Sequence, residues 1–193
     1  IGDAKGRGID NGIKETVVMF KANELPTDDS CEGHIDENGL RPPYVEARTP
    51  NKPERWEGVD KAIEEIQPLK VSDNEKFHQE YEKIMQEFSK KPETLKYQKW
   101  EETNKELTKK TRGLLDEFYK ERKIEPDVKL QIEEQVEENP RIYSGSEYYK
   151  SVIEEPAKEI TENNKKILSE KLGKYRAEMQ EFTKFLKDKY FNS

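Results

Sequence analysis

Apolar residues recur along this chain at two periods. Ile9, Ile13, Val17 and Phe20 step by four and three, the spacing of one helical face, and Pro26 ends the run. Asp10 or Asn11 is placed to cap the helix start. Thr27 to His34 then reads as an extended segment, and Ile35-Asp36-Glu37-Asn38-Gly39 as a turn, since Asn-Gly readily supplies positive φ. Pro42-Pro43-Tyr44-Val45-Glu46-Ala47-Arg48 alternates in polarity and predicts a second strand, closing a loose hairpin. Beyond a linker from Thr49 to Pro53, Val59, Ala62, Ile63 and Ile66 mark a short amphipathic helix. Ser72 or Asp73 caps the next, whose stripe is Phe77, Tyr81, Ile84, Met85 and Phe88.

Pro92 suits a first helical turn and opens a long helix to Lys123, striped by Trp100, Thr103, Leu107, Leu114 and Phe118. Val128, Leu130 and Ile132 alternate as a strand would, and Arg141-Ile142-Tyr143 is a weaker strand signal, a short pair over about 127–143. In the last helical region Pro156 marks a kink or restart, and Leu168, Leu172, Tyr175, Met179, Phe182 and Leu186 form a coiled-coil-like seam. That seam is under three heptads long, which predicts one half of a helical hairpin, with the helix of 92–123 as partner to 157–190. The expected fold is therefore α+β and mostly α. A small antiparallel sheet is packed by helices, and a long projecting antiparallel helical hairpin completes it. The expected division is a small α+β unit over 1–70 and a mainly helical region over 71–193.

Composition sharpens this picture. Of 193 residues, 40% are charged and only 31% belong to the hydrophobic set, below the usual apolar share of about 45–50%. Disorder calls for low hydrophobicity with high net charge. Here 35 basic residues nearly offset 42 acidic ones, leaving −7. Interleaved charges at helical spacing, as in 101–110 and 170–189, instead indicate long solvated helices and an elongated shape. The long helices are where a second copy or a protein partner would associate. The acidic balance argues against a nucleic-acid-binding domain. No apolar run approaches the roughly 18 residues of a membrane span, so no membrane partner is expected. A single cysteine permits no intrachain disulfide and points to a reducing, cytoplasmic setting. The chain opens on Ile1 rather than Met, as a processed chain or a fragment would.

Candidate chemistry concentrates in Thr27-Asp28-Asp29-Ser30-Cys31-Glu32-Gly33-His34, which holds the only cysteine and one of two histidines, flanked by carboxylates. A thiolate and an imidazole suit a divalent metal, and Cys with His also forms nucleophile–base pairs. One cysteine excludes a structural zinc finger, which needs about four ligands. Carboxylates from Asp28, Asp29, Glu32 or Asp36 could complete a mixed site with Cys31 and His34. Gly33 permits a tight turn between the pair. Against this stands the plain alternative of a small buried hydrophobe at Cys31 and a loop-bracing His34. Gly6-Arg7-Gly8 ahead of a helix could hold an anion, though it matches no phosphate-binding fingerprint and reads first as a flexible arm. His78 borders an apolar stripe, and Trp56, Trp100, Tyr143, Tyr148 and Tyr149 read as core aromatics.

The runs Ile9-Asp10-Asn11-Gly12-Ile13, Pro26-Thr27, Ser30-Cys31-Glu32-Gly33-His34 and Pro43-Tyr44-Val45 carry a resemblance. They resemble uncharacterised bacterial and phage-type proteins with a Thr-x-x-Ser-Cys-x-Gly-His strand. The resemblance covers about the first quarter of the chain and implies a folded site without naming a reaction. It also sets the N-terminal arm beside the loop, which adds Arg7 and Asp10 to the ligand-binding candidates Ser30, Glu32 and Gly33. The Ser-Cys segment is also faintly similar to the Ser-Cys-Ser-Gly-Arg segment of wybutosine-synthesis methyltransferase-like tRNA enzymes, with His34 where that family has Arg.

Three functions follow. The first is an intracellular binding protein whose small ligand or metal sits at the Ser30–His34 loop. The second is an enzyme with Cys31 as nucleophile, His34 as base, and Ser30 or the loop backbone as oxyanion donor. The third is a structural or adaptor protein working through its helical hairpin.

Overall fold

The structure is a computed structural model that describes residues 8–36, 39–132, 141–144 and 162–192. It is α+β, and the described chain forms two compact units, 1–50 with 104–193, and 51–103. The division expected near residue 70 falls inside the second unit. The first unit is discontinuous because a strand and the last helix return to the N-terminal sheet.

Helix α1 spans Lys14–Ala22. Its Ile13-Val17-Phe20 face is buried, with at most 1% of each residue exposed. Neither Asp10 nor Asn11 caps it; the N-cap is Ile13, without a side-chain bond. The Asp10 carboxylate instead accepts the Glu32 N–H at 3.3 Å, so a partner 22 residues on takes the side chain that local spacing assigns to a cap. At the other end Asn23 donates its side-chain amide to the carbonyls of Met19 and Leu186, at 2.8 and 3.1 Å. The first bond closes the C-terminal end of α1, and the second ties α1 to the last helix.

Strand β1 (Thr27–Cys31) pairs antiparallel with β4 (Tyr44–Ala47), and a register shift between Thr27 and Asp29 bends it. The segment expected to run extended to His34 breaks after Cys31. The same two arms pair again, in unchanged register, as β2 (His34–Asp36) with β3 (Gly39–Arg41), so the expected hairpin over this stretch is present with an interruption in its ladder. Strands β5 (Gln131–Ile132) and β6 (Arg141–Tyr143) complete a four-stranded sheet in the order β1-β4-β6-β5. Val128 and Leu130, expected in the β5 strand, are buried ahead of it, Val128 in a turn. Alternation sends Val45, Ala47 and Ile142 into the core and Tyr44 and Glu46 to the other face. On that face buried Glu46 receives Arg48 and Arg141, and Arg48 also pairs with buried Asp28. Paired charge is the condition on which such carboxylates are buried at all.

In the second unit, α2 (Val59–Ile66), α3 (Leu69–Ser72) and α4 (Asn74–Phe88) precede α5 (Leu95–Tyr119). Trp56, Val59 and Phe88 form its core with Ile63, Ile84 and Met85. Asp73, not Ser72, caps α4 by accepting the Lys76 N–H at 3.0 Å. Pro92 lies ahead of α5, whose first turn is capped by the Thr94 hydroxyl on the Tyr97 N–H at 3.2 Å. Trp100 is buried, as expected of a core aromatic, and Tyr97 is buried beside it with Arg55 and Lys52 over the rings.

The last helix, α6 (Glu162–Asn192), presents Leu172, Tyr175, Met179, Phe182 and Leu186 to the first unit's core. Pro156, Tyr148 and Tyr149 lie outside the described residues. Glu117 meets Lys189 while Arg122 meets Glu178, so the end of α5 and α6 run antiparallel. That pairing takes only part of the seam. The Thr16 and Thr183 hydroxyls bond at 2.7 Å, which places α1 on the same helix, a partner the heptad spacing does not reveal. No helix among the described residues is long and apolar enough to cross a membrane.

One polar network locks α5 to α6. The Tyr119 hydroxyl accepts the Leu130 N–H at 2.8 Å and donates to Glu178 at 2.9 Å, and Arg122 holds the other Glu178 oxygen at 2.9 Å. Tyr119→Phe leaves the Leu130 N–H and one buried Glu178 oxygen without that partner. A loss of about 1–3 kcal/mol in urea unfolding is expected. Burial and Glu178 raise the Tyr119 pKa, so the folded state holds this proton more tightly than the unfolded chain. Stability is therefore expected to fall as pH rises past the ordinary tyrosine value of about 10, and Tyr119→Phe should flatten that fall.

Candidate functional site

Cys31 ends β1 and His34 begins β2, with only Glu32 and Gly33 between them. The two strands lie on one arm of the hairpin, and the kink between them has Gly33 in the left-handed region at φ +78°. A Cβ there would lie 2.7 Å from the Pro43 nitrogen and 2.9 Å from the Arg41 carbonyl oxygen. The kink brings Cys31 Sγ to 3.5 Å from His34 Nδ1, and the Gly33 N–H donates to Sγ at 3.3 Å. Strand geometry then adds a third group. Residues two apart share a face, and His34 Nε2 stands 3.2 Å from Asp36 Oδ2. Arg41, opposite His34 across the hairpin, holds the same Asp36 oxygen at 3.3 Å.

The order Cys31, His34, Asp36 favours one tautomer of the neutral ring. A carboxylate only accepts, so it selects the hydrogen on Nε2, and that tautomer presents the Nδ1 lone pair to the thiol. Cys31 itself is half-buried. Burial pushes its pKa above the ordinary thiol value, the Gly33 N–H opposes that, and the carboxylates of Asp10, Glu32 and Asp29 add to it. The resting group is the thiol. Tyr44, cross-strand from Cys31, donates to Asp29 at 3.3 Å, and its pKa is pushed up to about 12 by burial and then by Asp29.

The remaining sequence candidates divide. Glu32 joins the cluster: its Oε2 accepts the Gly12 N–H at 2.8 Å, and its own N–H goes to Asp10. Asp10 and Gly33 are thus brought to the thiol loop. Ser30 is not. It sits in register with Val45, so strand alternation turns its side chain to the face opposite Cys31. Arg7 lies outside the described residues. His78 is exposed on α4 beside Phe77, in the other unit. Among the described residues no group of three or more His, Cys, Asp or Glu is placed to hold a metal ion.

Sequence reasoning missed two contributors. Asp36 appeared only as a carboxylate for a metal, although its position two after His34 in a strand is a legible signal. Arg176 left no signal. It comes from α6 and donates to the carbonyls of Glu32 and Gly33, at 3.0 and 2.6 Å, from a helix face that reads as solvated charge. Comparison of the chain with protein-family models, with curated proteins and with solved structures finds no match.

Proposed function

We propose that the protein is a thiol-dependent enzyme in which Cys31 is the nucleophile, His34 its general base, and Asp36 the group that orients His34. One observation carries this reading: Sγ faces Nδ1 at 3.5 Å while Nε2 is held by Asp36 at 3.2 Å. That is the nucleophile, base and orienting group of acyl-transfer chemistry in their working order. The metal version of a binding role has less support, because a third ligand is not at hand among the described residues.

The raised thiol pKa shapes the step. Instead of a standing thiolate, the thiol loses its proton as it attacks. Sγ bonds to an acyl carbon, the S–H proton passes to Nδ1, and the bond from that carbon to the leaving group breaks. The Gly33 N–H, already aimed at Sγ, helps carry the charge that develops on sulfur. The Nδ1 proton leaves with the departing group, which frees His34 for the second step. Water then attacks the thioester, His34 takes the water's proton, and it returns that proton to Sγ as the C–S bond breaks and the thiol is regained.

An activated neutral ester, p-nitrophenyl acetate, tests the assignment. One acetyl group is expected on Cys31 by peptide mass mapping, with p-nitrophenolate released in step, and none on the Cys31→Ala protein. Acetyl groups on lysines alone, at equal rates in both proteins, would remove the nucleophile from this account.

A further inference from the structure

Arg176 lies 143 residues beyond Gly33, yet its guanidinium spans both carbonyls of the connection between Cys31 and His34. Nε donates to the Glu32 carbonyl at 3.0 Å and Nη2 to the Gly33 carbonyl at 2.6 Å, with Nη2 3.7 Å from Glu32 Oε1. We propose that Arg176 is the positioning residue of the thiol site, holding the Glu32–Gly33 connection so that Sγ and Nδ1 stay aligned; the proposal rests on the thiol-enzyme reading above.

The argument is one of peptide geometry. In a planar trans peptide the carbonyl and the following N–H point to opposite sides. Arg176 grips the Glu32 carbonyl, so the Gly33 N–H of the same peptide points away from it, and it is the group found on Sγ. The second bond fixes the Gly33 carbonyl, and with it the peptide that carries His34 into β2. Glycine at positive φ is the residue that could most easily let these peptides turn. A planar fork with two fixed donors restrains both at once, whereas a lysine ammonium is a point charge with no such geometry. Leu172, one helical turn earlier on α6, packs where a Gly33 Cβ would stand, so the same helix face supports the loop from below the charge.

A double-mutant cycle on acetylation of Cys31 by p-nitrophenyl acetate tests this. Arg176→Ala is expected to slow acetylation about tenfold, since small misplacements of reacting groups carry losses of this order or more. Arg176→Lys should recover part of the rate. Arg176→Ala should add little to His34→Ala, because without the base there is nothing left to align. Helical circular dichroism and the melting midpoint establish that each variant is folded, and if Arg176→Ala is not, Arg176→Lys replaces it in the cycle with a smaller, still non-additive loss. Wild-type rates in the Arg176 variants, or losses that multiply in full with His34→Ala, would overturn the positioning role while leaving the thiol reading intact. No loss from His34→Ala alone would overturn both.

Discussion

Phe182→Ala is expected to destabilise the protein by about 3–5 kcal/mol, read as a shift in urea unfolding. Phe182 is fully buried and meets Phe20 of α1 at 6.0 Å and Phe118 of α5 at 5.2 Å, both edge-on, with Phe185 stacked at 5.9 Å. Removing the ring takes away its own burial and leaves a cavity lined from three helices. The transfer loss and the cavity then add. Phe182→Leu keeps most of the volume and should cost much less. A loss below about 1 kcal/mol for the alanine variant would mean that this aromatic cluster does not join α1, α5 and α6 as described.

Gly33→Ala is expected to cost about 3 kcal/mol and to break the thiol site at the same time. At φ +78° an alanine is strained by about 1–2 kcal/mol before any contact is considered. The added Cβ then meets two backbone atoms, of Pro43 and Arg41, which cannot swing aside as a side chain could. The kink must open, and Sγ and Nδ1 separate with it. The helical glycines are the control. A Cβ on Gly113 or Gly173 meets nothing within 4 Å, so alanine there should stabilise by about 0.5–1 kcal/mol. Equal effects at all three glycines in thermal melts would refute the strained-kink description.

The helices and strands were legible where one apolar face does the packing. The Ile13-Val17-Phe20 stripe and the Leu172–Leu186 stripe are buried as their spacing requires, and Val45 and Ala47 of the predicted strand turn to the core, though Glu46 between them is buried too. What the periodicity could not name was the partner of each stripe. The C-terminal seam faces α1 as well as α5, and nothing in a heptad pattern distinguishes a zipper from one wall of a shared core. Nor could spacing show that residues from 104 onward join residues 1–50 in one unit, since that contact spans the chain.

The site was legible to the extent that it is local. Cys31 and His34 are three apart across a glycine, and that spacing alone brought them together. Asp36 was within reach of the same reasoning through strand alternation. Asp10 was misplaced as a helix cap because its actual partner, the Glu32 N–H, is 22 residues away. Arg176 belongs to a helix written in Lys, Glu and Arg, where one arginine with a structural target looks like its solvated neighbours.

The central claim is that His34 acts as the base for Cys31, and the most direct measurement is the rate of Cys31 acetylation by p-nitrophenyl acetate at neutral pH in the wild type and in His34→Ala. Removal of a positioned general base should lower that rate by about 100-fold. Because the Cys31 pKa lies above the ordinary thiol value, the variant should regain rate only as pH rises into the range where the thiol ionises unaided. Equal rates in the two proteins at neutral pH would contradict the account, leaving Cys31 and His34 as neighbours held together by geometry alone.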